Sequence, residues 1–370
     1  MATIAASFDL RRNSLNFLRL VFALMVIVSH TWPLGGYGSD PQIAGQELGT
    51  WAVCGFFAIS GYLIANSRRH TSLSTFLVRR ALRIYPGYVV CLLVVALGFA
   101  PLSVAIGAGS IQWQSDVSYV FHNLLLKVFQ DGIDNTLPNA PYGPAWNGSL
   151  WTLIYEFICY LGIGLLLSLN LRWHRTAVVA AFVVTAAVAA ADSNPGAIGT
   201  LSALAFLGSV FFAGSVIAIF ADRIPLDWRL GVLSIVVATV GASLHATPWL
   251  GALPMAYACI WLGVALPFHR VGRTNDISYG VYIYAFPVQQ IITMGLGNHR
   301  LPVGIAVALS IAGTLPLAIA SWFLVEKRAL ALKNTLRAAR RVGGPVAAPR
   351  RARGGRHRGS AALQSVDGSL

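Results

Sequence analysis

The sequence predicts an all-α, polytopic membrane protein with about ten transmembrane helices and with both termini on the cytoplasmic side. Three observations support this class. The 370-residue chain is 56% hydrophobic. Only 11% of its residues are charged, whereas soluble domains carry about 25%. Apolar segments of about 20 residues, the length that an α-helix needs to cross a bilayer, recur along the chain.

Hydropathy places the predicted helices in order along the chain. The first, LNFLRLVFALMVIVSHTWPL, has no small-residue cleavage site after its apolar run, so we expect it to stay in the membrane rather than to be removed as a signal peptide. Each later segment is again long and apolar enough to be a candidate span. In order, the ten segments are 15–34, 50–66, 84–107, 149–169, 176–191, 200–220, 229–245, 250–268, 278–296 and 303–325.

The positive residues predict the orientation of these helices. Of the 27 lysines and arginines, only Lys127 and Arg300 fall in predicted outer loops, and Arg19 lies within the first helix. All the other lysines and arginines lie in predicted segments on the same side of the membrane as the N-terminus. Because cytoplasmic loops are enriched in Lys and Arg, this asymmetry predicts that both termini are inside.

This topology divides the chain into three parts. Residues 1–14 are a cytoplasmic N-terminus, residues 15–326 a membrane domain, and residues 327–370 a basic cytoplasmic tail. The tail is rich in Arg, Gly, Pro and Ala without apolar patterning, so we expect it to be disordered. The net charge of +14 therefore indicates contact with anionic membrane lipid rather than with nucleic acid.

The cysteines give no indication of a metal site or of a disulfide framework. The chain contains no CxxC motif and no other spacing typical of metal ligands. Buried thiols behave as small apolar side chains. The four cysteines, Cys54, Cys91, Cys159 and Cys259, all fall within predicted helices.

Two ionisable residues share one face of the first helix. Arg19 and His30 are eleven residues apart, which places them within about 20° of the same face and about 16 Å apart along the axis. Because ionisable residues inside a membrane are costly, each suggests a functional site. The alternatives are that Arg19 extends to the inner headgroups and that His30 lies at the outer interface.

Glu156 is the third ionisable residue inside a predicted span. It lies in the fourth helix at a depth similar to that of His30. A carboxylate beside an imidazole fixes its tautomer and raises its basicity, as a general base requires. A structural pair between Glu156 and an arginine is the alternative.

The segment before the third helix adds cations at the cytoplasmic surface. Arg80 and Arg83 are three residues apart, so they point the same way on a helix. Guanidinium groups bind phosphate well, and together with Arg19 these residues could line an entrance for a phosphorylated cofactor. Anchoring by the positive-inside rule is the alternative. In the second helix, Gly55, Ser60 and Gly61 indicate close packing of helices.

Six short motifs occur together in one order along the chain. They are R-x10-H in the first helix, FFAISGYLI in the second, RxxRIYP at 80–86, NGSLWTLIYEF at 147–157, DISYGVYIYAFPV at 276–288 and FLVEK at 323–327. Over residues 13 to 330 the chain resembles the acyltransferase-3 family of bacterial membrane O-acyltransferases, which modify cell-surface polysaccharides.

The resemblance implies transfer of an acyl group, most simply acetyl, from cytoplasmic acyl-CoA to a hydroxyl group of a cell-surface or lipid-linked glycan. It implies a multi-pass protein of the bacterial cytoplasmic (inner) membrane, which could work beside the glycan-synthesis machinery, and it implies no metal. Many members have a histidine where this chain has Ala285, so that histidine is not needed here.

The resemblance and the residue patterns together assign three groups of residues. The predicted catalytic residues are His30 and Glu156, the predicted acyl-CoA-binding residues are Arg19, Arg80 and Arg83, and the predicted site-shaping residues are Ser60, Trp151 and Tyr85. Two other classes stay open at this stage. A transporter or flippase for a lipid-linked glycan would consume no acyl-CoA, and a scaffold subunit of a glycan-synthesis complex would tolerate loss of His30 and Glu156.

Overall fold

A computed structural model shows a bundle of helices and describes residues 2–68, 71–107, 109–138, 140–169, 171–191, 200–296 and 301–332. The α-helices in these ranges are α1 (Ile4–Ser7), α2 (Leu15–Leu34), α3 (Leu48–Arg68), α4 (Leu73–Val94), α5 (Ala100–Ala105), α6 (Trp113–Asn123), α7 (Thr152–Leu166), α8 (Leu171–Ala191), α9 (Thr200–Ile219), α10 (Trp228–Ser243), α11 (Ala252–Ala265), α12 (Ser278–Leu296) and α13 (Val303–Ser321). The strands β1 (Gln42–Ile43) and β2 (Gln46–Glu47) pair antiparallel ahead of α3. Three π-helical turns, Val95–Phe99, Thr247–Gly251 and Trp322–Glu326, continue or precede α-helices.

The all-α membrane fold predicted from the sequence is confirmed, since each of the ten predicted segments coincides with a helix. Among the described residues, 7 helices are long and apolar enough to cross a membrane. Of the remaining three, α7 and α10 are shorter, and α12 carries Gln289 and Gln290 within its length. The number of ten spans and their orientation therefore stay predictions.

Two predicted boundaries differ from the helices that the structure shows. Hydropathy predicts a third segment from residue 84, but α4 already starts at Leu73, behind an N-cap in which Ser72 accepts a hydrogen bond from the Thr75 amide. Hydropathy detects the part of a helix that lies in lipid, and the arginines of the first turns conceal its start. At the other end, the last helix continues through Leu332. Residues 333–370, the rest of the predicted tail, lie outside the described residues.

Helices α3 and α9 touch through glycines, as the small residues of the second predicted span indicate. A Cβ atom on Gly61 would lie 1.9 Å from the carbonyl oxygen of Phe211, and one on Gly214 would lie 2.2 Å from that of Ala58. Backbones can approach so closely only where no side chain intervenes. Because this contact holds α3 against α9, it also sets the direction of the neighbouring residue Ser60, whose hydroxyl donates to Glu156 of α7.

A proline in α12 ties that helix to the segment before α7. Pro287 has no amide hydrogen, so the carbonyl of Ile283, four residues earlier, loses its usual helical donor. The side-chain amide of Asn147 replaces it, with Nδ2 2.7 Å from the Ile283 oxygen. Close by, the hydroxyl of Tyr282 donates to the carbonyl of Ser149 at 2.8 Å. The N-terminal end of α7 is thereby fixed against α12.

Replacing Gly61 with alanine is expected to destabilise the protein by about 1–3 kcal/mol, because the new methyl group overlaps a backbone carbonyl that cannot rotate away. Thermal unfolding in detergent, followed by circular dichroism, measures the change. A Cβ atom added to Gly304 in α13 would meet no other atom within 4 Å, so Gly304→Ala is the control and should unfold at or slightly above the wild-type temperature. A Gly61→Ala protein as stable as Gly304→Ala would contradict the packing.

Candidate active site

Two arginines from different helices share one carboxylate at the end of the bundle where α2 and α12 begin, which we call the basic end. Nη1 of Arg19 lies 2.7 Å from Oδ2 of Asp276, and Nη2 of Arg83 lies 2.6 Å from the same oxygen. The other oxygen of Asp276 accepts hydrogen bonds from the amide and the hydroxyl of Ser278. Asp276 therefore joins α2 and α4 to the start of α12.

The environment keeps Asp276 charged. Burial alone would raise the pKa of this carboxyl group, but the guanidinium groups of Arg19 and Arg83 oppose that effect. With the hydrogen bonds of Ser278 added, the pKa of Asp276 lies below its usual value. A buried carboxylate between two arginines is thus ionised at neutral pH.

A second carboxylate completes this group, which we call the charge cluster (Arg19, Arg83, Asp276 and Glu326). Oε2 of Glu326 lies 3.4 Å from Nη1 of Arg83, and its Oε1 accepts a hydrogen bond from Ser321 at 3.1 Å. Glu326 ends the π-helical turn that follows α13. Such wide turns often occur at functional sites, where they redirect side chains. The charge cluster holds two arginine and two carboxyl side chains.

A basic cavity opens beside the charge cluster. Among its lining residues, Arg79, Arg80 and Arg273 have no carboxylate partner within the part of the chain that the structure describes. The Nε atoms of Arg79 and Arg80 are buried and have no hydrogen-bond partner there. The full lining is Asn16, Arg79, Arg80, Arg83, Gly272, Arg273, Thr274, Asp276, Trp322 and Leu330.

An inner cavity lies further along the bundle. Arg19 lines this cavity, whereas Asp276 lines the basic cavity, so the ion pair between them separates the two spaces. The inner cavity is lined by Arg19, Val53, Phe56, Phe57, Thr152, Leu153, Glu156, Tyr279 and Tyr282. The hydroxyl groups of Thr152 and Tyr282 are hydrogen-bonded to each other at 2.7 Å.

Glu156 faces this cavity and is held by hydroxyl groups. Its Oε1 accepts hydrogen bonds from Ser60 of α3, at 2.9 Å, and from Tyr160 of α7. The predicted contact with His30 is not among the hydrogen bonds and ion pairs of the described residues. The sequence predicts a similar depth for the two residues, but depth alone does not fix the direction in which a side chain points.

His30 lies closer to the C-terminal end of α2, on the face that also carries Arg19. Its ring packs edge-to-face on Phe286 of α12, with 5.4 Å between the ring centroids. A Cβ atom on Gly49 of α3 would lie 4.0 Å from its Nε2. The predicted shared face is therefore confirmed, because Arg19 and His30 both point between α3 and α12. The Nδ1 atom of His30 is buried and has no hydrogen-bond partner among the described residues.

The structure brings most of the predicted site residues together around the two cavities, but His30, like Trp151 and Tyr85, is not among the residues that line them. Arg80 and Arg83 line the basic cavity, and Ser60 holds Glu156. Trp151 is 39% exposed and Tyr85 is 40% exposed, and neither lines the two cavities. Their proposed roles in shaping the site stay predictions.

Sequence reasoning missed the carboxylates that neutralise the arginines. Asp276 and Glu326 lie within the motifs DISYGVYIYAFPV and FLVEK, but neither is among the predicted site residues. Two features of the sequence could have identified them. The chain has only 13 Asp and Glu residues, so each one is notable. Asp276 and Glu326 also adjoin predicted helix ends on the same side as the arginines. Ala285 is fully buried against Ala23 and Ile27 of α2.

The described residues contain no group of three or more His, Cys, Asp or Glu side chains that could hold a metal ion. The four cysteines are buried, free thiols. The polar groups of the two cavities are mainly arginine, carboxylate and hydroxyl side chains. Such groups bind anions and transfer protons.

Comparison with known proteins identifies a family for the chain. Residues 12–325 match the model of an acyltransferase domain. An O-acetyl transferase of Shigella phage Sf6 is 31% identical over 340 residues, which cover 86% of this chain and 96% of that protein. Nodulation protein 10 of Rhizobium leguminosarum bv. viciae is 27% identical over 375 residues, covering 89% of this chain and 96% of that protein. No solved structure matches the chain significantly.

The matched range 12–325 includes the inner cavity, most of the basic cavity, His30 and three members of the charge cluster, Arg19, Arg83 and Asp276. The acyltransferase model alone covers well over half of the chain. An enzyme is therefore favoured over the transporter and the scaffold that the sequence alone left open. The chain belongs to the acyltransferase-3 family and is a multi-pass membrane enzyme of the O-acetyltransferase type.

Proposed function

We propose that this enzyme transfers an acyl group, most simply acetyl, from acyl-CoA to a hydroxyl group of a cell-surface or lipid-linked glycan in the bacterial cytoplasmic membrane. The observation that carries the proposal is the order of sites along one face of α2. The basic cavity comes first, the inner cavity beside Arg19 second, and His30 last. The order suits a donor with a phosphorylated head and a long arm that ends in a thioester.

The basic cavity is the proposed site for the phosphate groups of acyl-CoA. Arg19 and Arg83 are neutralised by Asp276 and Glu326, so they add little net charge for a ligand. Arg80 has no such partner among the described residues and is therefore the principal phosphate ligand that we propose. Arg79 and Arg273 line the same cavity and supplement it.

The inner cavity is the proposed route of the pantetheine arm. The arm would pass Arg19 and extend toward His30, about 16 Å further along α2. Ser60 and Tyr160 both donate to Oε1 of Glu156, so its Oε2 can accept a hydrogen bond from an amide N–H of the arm. In this proposal Glu156 positions the donor, a role that replaces its predicted contact with His30.

His30 is the proposed general base. It would remove the proton from the acceptor hydroxyl while the hydroxyl oxygen attacks the thioester carbonyl. The carbon–sulfur bond then breaks, and the CoA sulfur leaves with the proton that His30 had taken. In the alternative route, an imidazole nitrogen of His30 attacks the thioester carbonyl, the carbon–sulfur bond breaks, and CoA leaves as the thiol with the proton of the imidazole. The acceptor oxygen then takes the acyl group from the acyl-imidazole, and its proton returns to His30.

Replacing His30 with alanine is expected to lower the rate of acyl transfer by about 100-fold or more, because the reaction loses its general base. The assay uses the purified full chain in nanodiscs, radiolabelled acetyl-CoA, and surface glycan from a strain that lacks the enzyme. His122 on α6 is exposed, so His122→Ala is the matched control and should retain the wild-type rate. Full activity of a folded His30→Ala protein would remove this residue from the chemistry.

Replacing Arg80 with glutamine is expected to raise KM for acetyl-CoA about 10-fold and to leave kcat nearly unchanged, because a charge-assisted contact with phosphate is lost. Arg223→Gln removes the same charge from a residue that is 67% exposed in its side chain and pairs loosely with Asp222, and it should leave KM unchanged.

Acetyl-dephospho-CoA, which lacks the 3′-phosphate, tests which part of the donor Arg80 binds. If Arg80 binds the 3′-phosphate, wild type and Arg80→Gln should differ much less with this donor than with acetyl-CoA. If Arg80 binds the pyrophosphate, the difference should persist with both donors. Equal KM values for acetyl-CoA in Arg80→Gln and Arg223→Gln would place the donor elsewhere.

A further inference from the structure

His30 lacks the partner that a catalytic imidazole normally has. Nδ1 is buried and unpaired among the described residues, and Glu156, the partner expected from the sequence, bonds to Ser60 and Tyr160 instead. A general base becomes an imidazolium ion while it holds the proton of its substrate. Inside a membrane protein, that ion needs a compensating charge.

Among the described residues, the carboxylate of Asp40 is held next to the residue that precedes His30. Asp40, in the loop after α2, accepts a hydrogen bond from the hydroxyl of Ser29, the residue directly before His30, with 2.5 Å between the two oxygens. The amide of Gly49 donates to the same hydroxyl at 2.9 Å. Ser29 is completely buried. Asp40 is therefore fixed in place by a buried side chain and by the start of α3.

The other groups around the ring do not supply this charge. From α12 the ring meets Phe286, which does not titrate. The outer loop contributes Tyr142, which also packs on Phe286, and Glu47 ends the strand before α3. Asp40 is the carboxylate bound to the residue before His30, and Gly49, whose amide donates to the same Ser29 hydroxyl, adjoins Nε2 of the His30 ring.

We propose that Asp40 is the positioning residue of His30, and that its carboxylate stabilises the imidazolium ion that forms while His30 holds the proton of the acceptor. Asp40 makes no contact with substrate in this assignment and acts only through His30. The role of Asp40 in acyl transfer rests on the proposed function, in which His30 is the general base. The electrostatic pairing of Asp40 and His30 can be measured without turnover.

A histidine titration followed by NMR measures the pairing directly. The full chain in nanodiscs carries ¹³Cε1-labelled histidine, and the His30→Gln spectrum identifies the His30 signal. Asp40→Asn should move the titration midpoint of His30 down by about one pH unit, because an opposite charge that favours the imidazolium has been removed. Glu47→Gln removes an outer charge of the same sign and should leave the midpoint unchanged.

Ser29→Ala gives a second variant with the same readout. It removes the hydroxyl that holds Asp40 and keeps the carboxylate, so the midpoint should fall by less than in Asp40→Asn. This smaller change keeps the test available if Asp40→Asn does not fold. A His30 midpoint that stays at the wild-type value in every folded variant would overturn the proposal.

Kinetics connect the pairing to catalysis. Asp40→Asn should lower kcat about 10-fold. It should also displace the acidic limb of the pH–rate profile by as many pH units as it moves the NMR midpoint. Asp40→Glu should restore part of the kcat and part of the displacement. An unchanged limb in an active Asp40→Asn enzyme would refute the role of Asp40 while acyl transfer itself stands. A shifted midpoint in a protein without acyl transfer would refute the proposed function and support the pairing.

Discussion

The whole arrangement depends on neutralising arginine charge within a lipid-embedded bundle. A single guanidinium at the centre of a membrane helix costs about 2.5–3.5 kcal/mol on insertion scales. Here Asp276 pairs with Arg19 and with Arg83 at once, and Glu326 adds a second contact to Arg83. Asp276 thereby joins α2 and α4 to the start of α12. Glu326, at the end of the π-helical turn after α13, contacts the same group. Removal of Asp276 would leave buried arginine charge uncompensated, a far larger penalty than the loss of one surface ion pair.

This neutralisation divides the arginines into two kinds. Those of the charge cluster hold the helices together and stand between the two cavities, whereas Arg80 and its neighbours keep their charge available for an anion. A ligand with phosphate groups would be attracted to the second kind without disrupting the first. In the proposed function, the charge cluster would therefore stay intact while a charged donor binds and leaves at the same end of the bundle.

Much of the fold and part of the candidate site were predictable from the sequence, for reasons that differ from residue to residue. The bounds of α2 were predicted correctly because the apolar run from residue 15 to residue 34 coincides with the whole helix. The shared face of Arg19 and His30 follows from helical periodicity alone. The partner of Arg19 could not be predicted in this way, since Asp276 lies 257 positions away and no local pattern encodes so distant a pair. The same limit explains why the sequence pairs Glu156 with His30, whereas its partners are Ser60 and Tyr160. Asp40 lies in a loop whose course hydropathy cannot trace.

The proposed ordering of the sites implies that donor and acceptor meet from opposite sides of the membrane, and a sided assay measures this directly. Acetyl-CoA does not cross sealed vesicles, so it can be supplied on one face of oriented proteoliposomes and the glycan on the other. Ester should form when acetyl-CoA is on the face that carries Arg80 and the glycan is on the face nearest His30. Ester formation only when acetyl-CoA is added on the His30 face would contradict the passage of the donor through the bundle.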